Sequence, residues 1–240
     1  MEKIWLKHYP KNIPSTIDSL KFNSIIDLMK NSSSLFPDHT AFTNLNTRLS
    51  YKKIDRYSEK FGAYLQNQLS ITKRSKVAIM LPNLLTYPVA LFGSYLAGAI
   101  VININPLFKG REIESALNDS GAETIIVLDR FMSELEPVVK NTLIKNIIVC
   151  RVTDLLSPIM SALVKTVFFF KGPKISLNSN YLLFSDTLKN SYLRKNIVLE
   201  SQDIALLQYT GGTTGKSKAA VLTHGNILSN IEQLNVWVGP

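Results

Sequence analysis

The sequence predicts an α/β fold, a mainly parallel sheet flanked by helices. Short apolar runs alternate with helix-like segments from Val77 to Cys150, and repeated β-α units of this kind bury a parallel sheet on both faces. A further apolar run, Ile204 to Leu207, opens into a loop rich in glycine and threonine and resumes at Ala219-Ala220-Val221-Leu222. With 240 residues, 45% of them hydrophobic and 19% charged, the chain can bury a substantial core in one or two domains.

Taken in order, residues 1–20 are broken by Pro10 and Pro14 and read as irregular chain over the surface. A helix starts near Ser24, with Ile25, Ile26, Leu28 and Met29 apolar, and ends before Pro37, since a residue preceding proline is pushed out of helical space. Asp38 to Leu49 has the form of a hairpin, with Ala41-Phe42-Thr43, a polar turn at Asn44 to Asn46, then Arg48-Leu49. Ser50 suits an N-cap, and Tyr51, Ile54, Phe61 and Leu65 then share one stripe.

Val77 to Phe108 carries no charged residue, a length that on its own suggests a membrane span. Pro82, Asn83, Pro88, Asn103, Asn105 and Pro106 divide it instead into the strand Val77–Met80, a turn, a buried helix over Pro88–Ala99, and a strand over Ala99–Ile104. Pro88 is tolerated in the first turn of that helix. A helix over Arg111–Asn118 with Gly121 as its stop, a strand over Thr124–Leu128, a helix over Phe131–Lys140 and a strand over Asn146–Cys150 complete the alternation.

From Val152 to Leu199 the pattern weakens. Pro158 to Lys174 mixes Ile159, Met160, Leu163, Val164, Val167, Phe168, Phe169 and Phe170 with Lys165, Lys171 and Lys174. It reads either as a core helix with cationic ends or as an amphipathic segment lying on anionic lipid. Ser201 to Leu207 leads by a strand into the loop, and a last helix, capped by Thr223, sets Ile227, Leu228, Ile231 and Leu234 on one face. Neither an internal repeat nor a low-complexity tract is visible.

A net charge of +9 suits anionic partners such as a nucleotide, coenzyme phosphates or an anionic membrane. No nucleic-acid-binding motif accompanies it, so nucleic acid is not an expected partner. Cys150 is the single cysteine and lies in an apolar run. That excludes an internal disulfide and a cysteine-based metal site, predicts a buried thiol and suits a reducing compartment. Residues 1–20 lack the apolar core of a secretory signal.

The chemistry concentrates in Gln208-Tyr209-Thr210-Gly211-Gly212-Thr213-Thr214-Gly215-Lys216-Ser217-Lys218-Ala219-Ala220. Glycines let backbone N–H groups turn to one side and approach an anion, threonine hydroxyls add donors, and lysine adds a mobile charge. A solvated turn is the plain alternative. A sharper rival is the P-loop, G-x-x-x-x-G-K-[ST], whose end Gly215-Lys216-Ser217 matches. Its first glycine, however, falls on Thr210, and a P-loop opens directly into a helix, whereas a strand is expected here.

With Leu222-Thr223-His224-x-Asn226 following, Tyr209-Thr210-Gly211-Gly212-Thr213-Thr214-Gly215-x-x-Lys218 resembles the phosphate-binding signature of the adenylate-forming enzymes. The likeness extends over the chain and is strongest to bacterial long-chain fatty acid–CoA ligases. It includes Trp5-Leu6 with Tyr9-Pro10, Leu81-Pro82-Asn83 with Tyr87-Pro88-Val89-Ala90-Leu91-Phe92-Gly93, Asn103-x-Asn105-Pro106-Leu107 and Leu117-Asn118-Asp119-Ser120-Gly121-Ala122. Ser217 stands where many members have proline, and Ala219 where glycine is usual; a left-handed backbone at Ala219 would be strained.

The resemblance implies the N-terminal part of the adenylate-forming fold, incomplete at the C-terminus, with residues 1–240 forming the first part of an AMP-binding domain. It implies attack of a fatty carboxylate on the α-phosphate of ATP to give acyl-AMP and pyrophosphate, then thioester formation with coenzyme A, with Mg2+ offsetting phosphate charge. Tyr209, Thr210, Gly211, Gly212, Thr213, Thr214, Gly215, Lys216, Ser217, Lys218, Ala219 and Ala220 would contact ATP, Lys218 mattering more than Lys216. No metal ligand and no catalytic residue is assigned within the chain.

Peripheral contact with the inner face of the cell membrane, a cytoplasmic setting and homodimerisation of the full-length form belong to the same expectation. Segments that in the family bind adenine and ribose, hold Mg2+ and line most of the acyl tunnel, together with the C-terminal lid domain, are absent from residues 1–240. The chain is therefore expected to be inactive alone. A non-catalytic nucleotide- or membrane-binding fragment, half of a split ligase and a P-loop-type ATPase are the alternatives. His224 invites the role of general base, but no nucleophile accompanies it, and a structural histidine at a helix start is the expectation. His8 and His39 sit in turn-like contexts, and Asp119, Asp129 and Glu200 read as solvated or capping acids.

Overall fold

The computed structural model describes residues 3–17, 20–171, 181–210 and 218–239. A 3-10 turn, Ile4–His8, stands where irregular chain is expected. Helix α1 (Ile25–Leu35) begins at Ser24, whose hydroxyl accepts the Asp27 N–H while the Asp27 carboxylate accepts the Ser24 N–H; this reciprocal box satisfies two of the amide donors left over at a helix start. Strands β1 (Thr40–Asn44) and β2 (Thr47–Ser50) form the expected hairpin. Leu45 and Asn46 close it at φ 43° and 55°, a pair of left-handed residues whose turn matches strand twist.

Helix α2 (Tyr51–Gln68) is capped by the Ser50 hydroxyl and buries Ile54, Phe61 and Leu65, with Tyr51 half-buried in its first turn. There follow β3 (Lys76–Met80), α3 (Thr86–Leu96), β4 (Ile100–Asn103), α4 (Gly110–Ser120), β5 (Thr124–Leu128), α5 (Met132–Val139) and β6 (Asn146–Cys150). Helix α3 starts two residues earlier than Pro88, which still leaves that proline in the turn whose N–H groups need no helical partner. Gly121 ends α4 at φ 66°, as expected. The chain continues with α6 (Pro158–Lys171), β7 (Leu182–Leu183), α7 (Phe184–Thr187), β8 (Ile204–Thr210), β9 (Lys218–Thr223) and α8 (His224–Val238).

Among the described residues, seven strands form one sheet in the order β7-β6-β5-β3-β4-β8-β9, parallel throughout except for the antiparallel β8/β9 pair. Because side chains alternate across a strand, β3 sends Val77 and Ile79 to one face and Ala78 and Met80 to the other. The first pair packs with Phe61 and Leu65 of α2 and Val89 and Ala90 of α3; the second packs with Ile113 and Leu117 of α4 and Met132 and Leu135 of α5. The uncharged stretch is thus the centre of a globular core, and among the described residues no helix is long and apolar enough to cross a membrane. On the first face, Phe61 lies 5.2 Å from the Phe184 ring and fills the space beside Gly93.

The two amphipathic segments bury little of their apolar faces. In α8 only Leu228 of the expected face is buried; Ile227 and Ile231 are half-buried and Leu234 is 55% exposed. The first turn of α8 is held against α1 and Tyr95. Helix α6 is not a core helix: Ile159, Leu163 and Val167, each one turn apart, are all exposed.

Candidate nucleotide-phosphate site

The loop's surroundings follow from the strand pair that brackets it. Strands β8 and β9 pair in the register Gln208↔Ala220, Tyr209↔Ala219 and Thr210↔Lys218. Residues 211–217 therefore connect two neighbours in an antiparallel ladder. Gly211, Gly212, Thr213, Thr214, Gly215, Lys216 and Ser217 themselves lie outside the described residues. The connection is strand–loop–strand, and α8 begins only after β9, at His224. This removes the P-loop alternative, which needs a helix directly after Lys216-Ser217. Ala219 sits within β9, and it is not among the residues with left-handed backbone, so alanine in place of the usual glycine costs nothing there.

Strand β8 runs parallel to β4, with Gln208 beside Asn103. The loop consequently leaves the sheet at the carboxyl ends of its parallel strands, the edge at which open α/β sheets take ligands. Polar side chains gather there. The Tyr87 hydroxyl donates to Asn103 Oδ1 at 3.3 Å, and Asn103 Nδ2 donates to Gln208 Oε1 at 2.9 Å. On the opposite face the Tyr209 hydroxyl lies 2.6 Å from Asp119 Oδ2 and 3.1 Å from the Ala116 carbonyl. Burial, then the neighbouring Asp119, pushes the Tyr209 phenol above its ordinary range. Asp119 is exposed, as a solvated acid should be, but it also accepts this hydrogen bond. The spacing of Leu117 to Ala122 carries no sign of it, because its partner lies 90 residues away.

His224 is structural. It is 1% exposed, its Nδ1 accepts the Ile25 N–H at 3.4 Å, and its ring meets Tyr95 edge-on at 5.1 Å. Burial holds its pKa down at about 4, so the ring is neutral at physiological pH and serves as an acceptor for the start of α1. The Thr223 hydroxyl accepts the Asn226 N–H and the Asn226 amide oxygen accepts the Thr223 N–H, which closes a capping box.

Cys150 is buried at the end of β6, and burial drives its thiol well up, so it is inert rather than nucleophilic. Among the described residues no group of three or more His, Cys, Asp or Glu side chains is placed to hold a metal ion. Two clefts have linings made of other segments. One of about 480 Å³, at the amino ends of β3, β5 and β6, is lined by Arg74, Lys76 and Lys145. The other, of about 370 Å³, lies between Tyr9–Ile17 and the end of α8.

A mostly parallel sheet whose β8–β9 pair brackets a glycine–threonine segment at its carboxyl edge defines an α/β protein. The chain belongs to the AMP-binding enzyme family, which it matches over residues 29–239. It is 42% identical to a long-chain-fatty-acid–CoA ligase of Escherichia coli O157:H7 over 100% of this chain and 44% of that relative. To the ligase of the same name from Haemophilus influenzae it is 42% identical over 99% of the chain and 43% of the relative, and to that of Bacillus subtilis 31% identical, again over 99% and 43%. The chain therefore spans less than half the length of the curated relatives it matches.

Two solved structures share its fold. One is a long-chain-fatty-acid-CoA ligase from Archaeoglobus fulgidus, with a TM-score of 0.72 at 23% identity over 94% of this chain and 41% of that one. The other is an anthranilate CoA ligase in complex with anthranoyl-AMP, with a TM-score of 0.70 at 21% identity over 86% and 36%.

Proposed function

We propose that the chain supplies the triphosphate grip of an ATP-dependent long-chain fatty acid–CoA ligase. In that reaction a fatty carboxylate displaces pyrophosphate from ATP, and the thiol of coenzyme A then displaces AMP from the acyl adenylate. The observation that carries the reading is the Thr210↔Lys218 register pair at the carboxyl edge of the sheet. It sets a hydroxyl-bearing residue and a lysine at the two feet of one loop, where backbone donors and a cation can meet a polyanion. The loop residues 211–217 would hold the β- and γ-phosphates, and Lys218 would neutralise their charge and orient the leaving pyrophosphate. Mg2+ would bring its own charge compensation with the nucleotide; the described residues offer it no ligand cluster.

The relatives' names support the fatty acid and coenzyme A as substrates. The exposed Ile159–Leu163–Val167 stripe, with Lys165 on the same helix, supports peripheral contact with an anionic membrane, where such an acid would be held.

ATP titration of the 240-residue protein tests the phosphate reading. Lys218→Ala should weaken ATP at least about tenfold, the scale of one lost charge-assisted contact, and Lys216→Ala clearly less. Equal losses, or a larger one at Lys216, would sink it. Acyl-CoA formation by these 240 residues would show that they turn over, contrary to the proposal that they bind without completing the reaction.

A further inference from the structure

The last two side chains of β8 before Thr210 are tied down on opposite faces of the sheet. Gln208 is bonded to Asn103 and, through it, to Tyr87 of α3. Tyr209 points the other way and is 4% exposed, with its hydroxyl against α4. A phenol has one proton to give. Of its two acceptors, Asp119 at 2.6 Å has the shorter contact and a negative charge, the combination that makes a hydrogen bond strong.

The position of Asp119 is informative in itself. It lies in the last turn of α4, where the helix dipole disfavours a carboxylate. An acid there works against its own helix, and although it is exposed it accepts a hydrogen bond from the buried Tyr209. Tyr209 in turn is paired with Ala219, and Thr210 with Lys218. A displacement of the tyrosine therefore moves both feet of the loop.

We propose that Asp119 is a positioning residue for the triphosphate site. By holding the Tyr209 hydroxyl it fixes the end of β8 and, through the ladder, the start of β9, so that Thr210 and Lys218 are set before a ligand arrives. Asn103 fixes the same strand from the opposite face through Gln208. The inference rests on the phosphate-binding reading given above.

The test is ATP affinity, measured by calorimetry on the 240-residue protein, for Asp119→Ala, Asp119→Asn, Tyr209→Phe and the Asp119→Ala/Tyr209→Phe double variant. Asp119→Ala and Tyr209→Phe should each weaken ATP about tenfold, and the double variant no more than either alone, because both remove one bond. Asp119→Asn keeps an acceptor and should recover affinity to within about threefold of the parent. Ser24→Ala, which removes a remote helix cap, should lower melting temperature while leaving ATP affinity unchanged, and so separates positioning from general loss of stability.

Unchanged affinity in both single variants, or strictly additive losses in the double, overturns the proposal. If Asp119→Ala fails to fold, Tyr209→Phe, which deletes one oxygen, decides it alone. Should Lys218→Ala abolish binding while Asp119→Ala and Tyr209→Phe bind normally, this inference falls and the phosphate reading stands. Should the parent protein show no ATP binding, both fall.

Discussion

Replacing Gly93 with alanine tests how closely α2 and α3 are pressed together. A Cβ there would lie 2.6 Å from Phe61 Cδ1, 3.0 Å from Phe61 Cβ and 3.1 Å from the Ser58 carbonyl. The first of these is closer than atoms tolerate, and Phe61 has nowhere to go: it is fully buried against the Phe184 ring. Overpacking of this kind costs about 1–3 kcal/mol, while alanine gains about 1 kcal/mol over glycine inside a helix. The 2.6 Å approach puts the steric cost at the upper end, leaving a net loss of about 2 kcal/mol.

In a chain of this length that loss lowers the melting temperature by roughly 4–8 °C. Thermal unfolding followed by circular dichroism reads it directly. Gly110→Ala is the control: its added Cβ would meet Val138 Cγ1 at 3.2 Å and the Glu134 carbonyl at 3.6 Å, and the change should stay within about 0.5 kcal/mol. Phe61→Leu introduced into Gly93→Ala should recover part of the loss by clearing the ring. A Gly93→Ala protein that melts at or above the parent, or shows no recovery with Phe61→Leu, would refute the close-packing argument.

Two further predictions concern pH and lipid. His224 has its pKa lowered from 6.5 to about 4, so the unfolded chain takes up the proton first as pH falls. Stability is therefore fully present above about pH 6.5 and lost progressively down to about pH 4, by up to about 3 kcal/mol. His224→Asn, which keeps an acceptor near Nδ1, should show a flatter urea-unfolding profile across that window, and a profile as steep as the parent's would count against the assignment. Sedimentation with vesicles containing anionic lipid should pull down the parent protein, and Leu163→Glu should reduce that binding severalfold by breaking the apolar stripe of α6. Equal sedimentation of both would remove α6 from the membrane reading.

The parts of the fold legible in the sequence are those set by local periodicity. The sequence bounds Thr124–Leu128 and Asn146–Cys150 to the residue, because a buried parallel strand between polar turns has sharp chemical edges. Ser24, Ser50 and Thr223 were legible as caps because hydroxyls before an apolar stripe answer a local need for acceptors. What was not legible depends on distant partners. Nothing around Leu234 says that it stays exposed, and nothing around Asp119 points to a tyrosine on β8. The site divides in the same way. Its strand–loop–strand setting follows from composition, whereas the polar contacts that hold β8 in place arise only when Asn103 and Asp119 are brought to its two faces by the sheet.

The strand order also governs how the chain can assemble itself. Strand β4 finds β3 through a short helical crossover, but its other neighbour is β8, so Asn103 waits for Gln208, 105 residues further on. Until that late segment is made, one flank of an uncharged strand, Ile100–Asn103, has bare amide and carbonyl groups. Such non-local pairings form slowly, and unpaired flanks recruit the wrong neighbours in the meantime. Yield of soluble protein should accordingly depend on synthesis rate and growth temperature more steeply than the finished fold, with its deeply packed centre, would suggest.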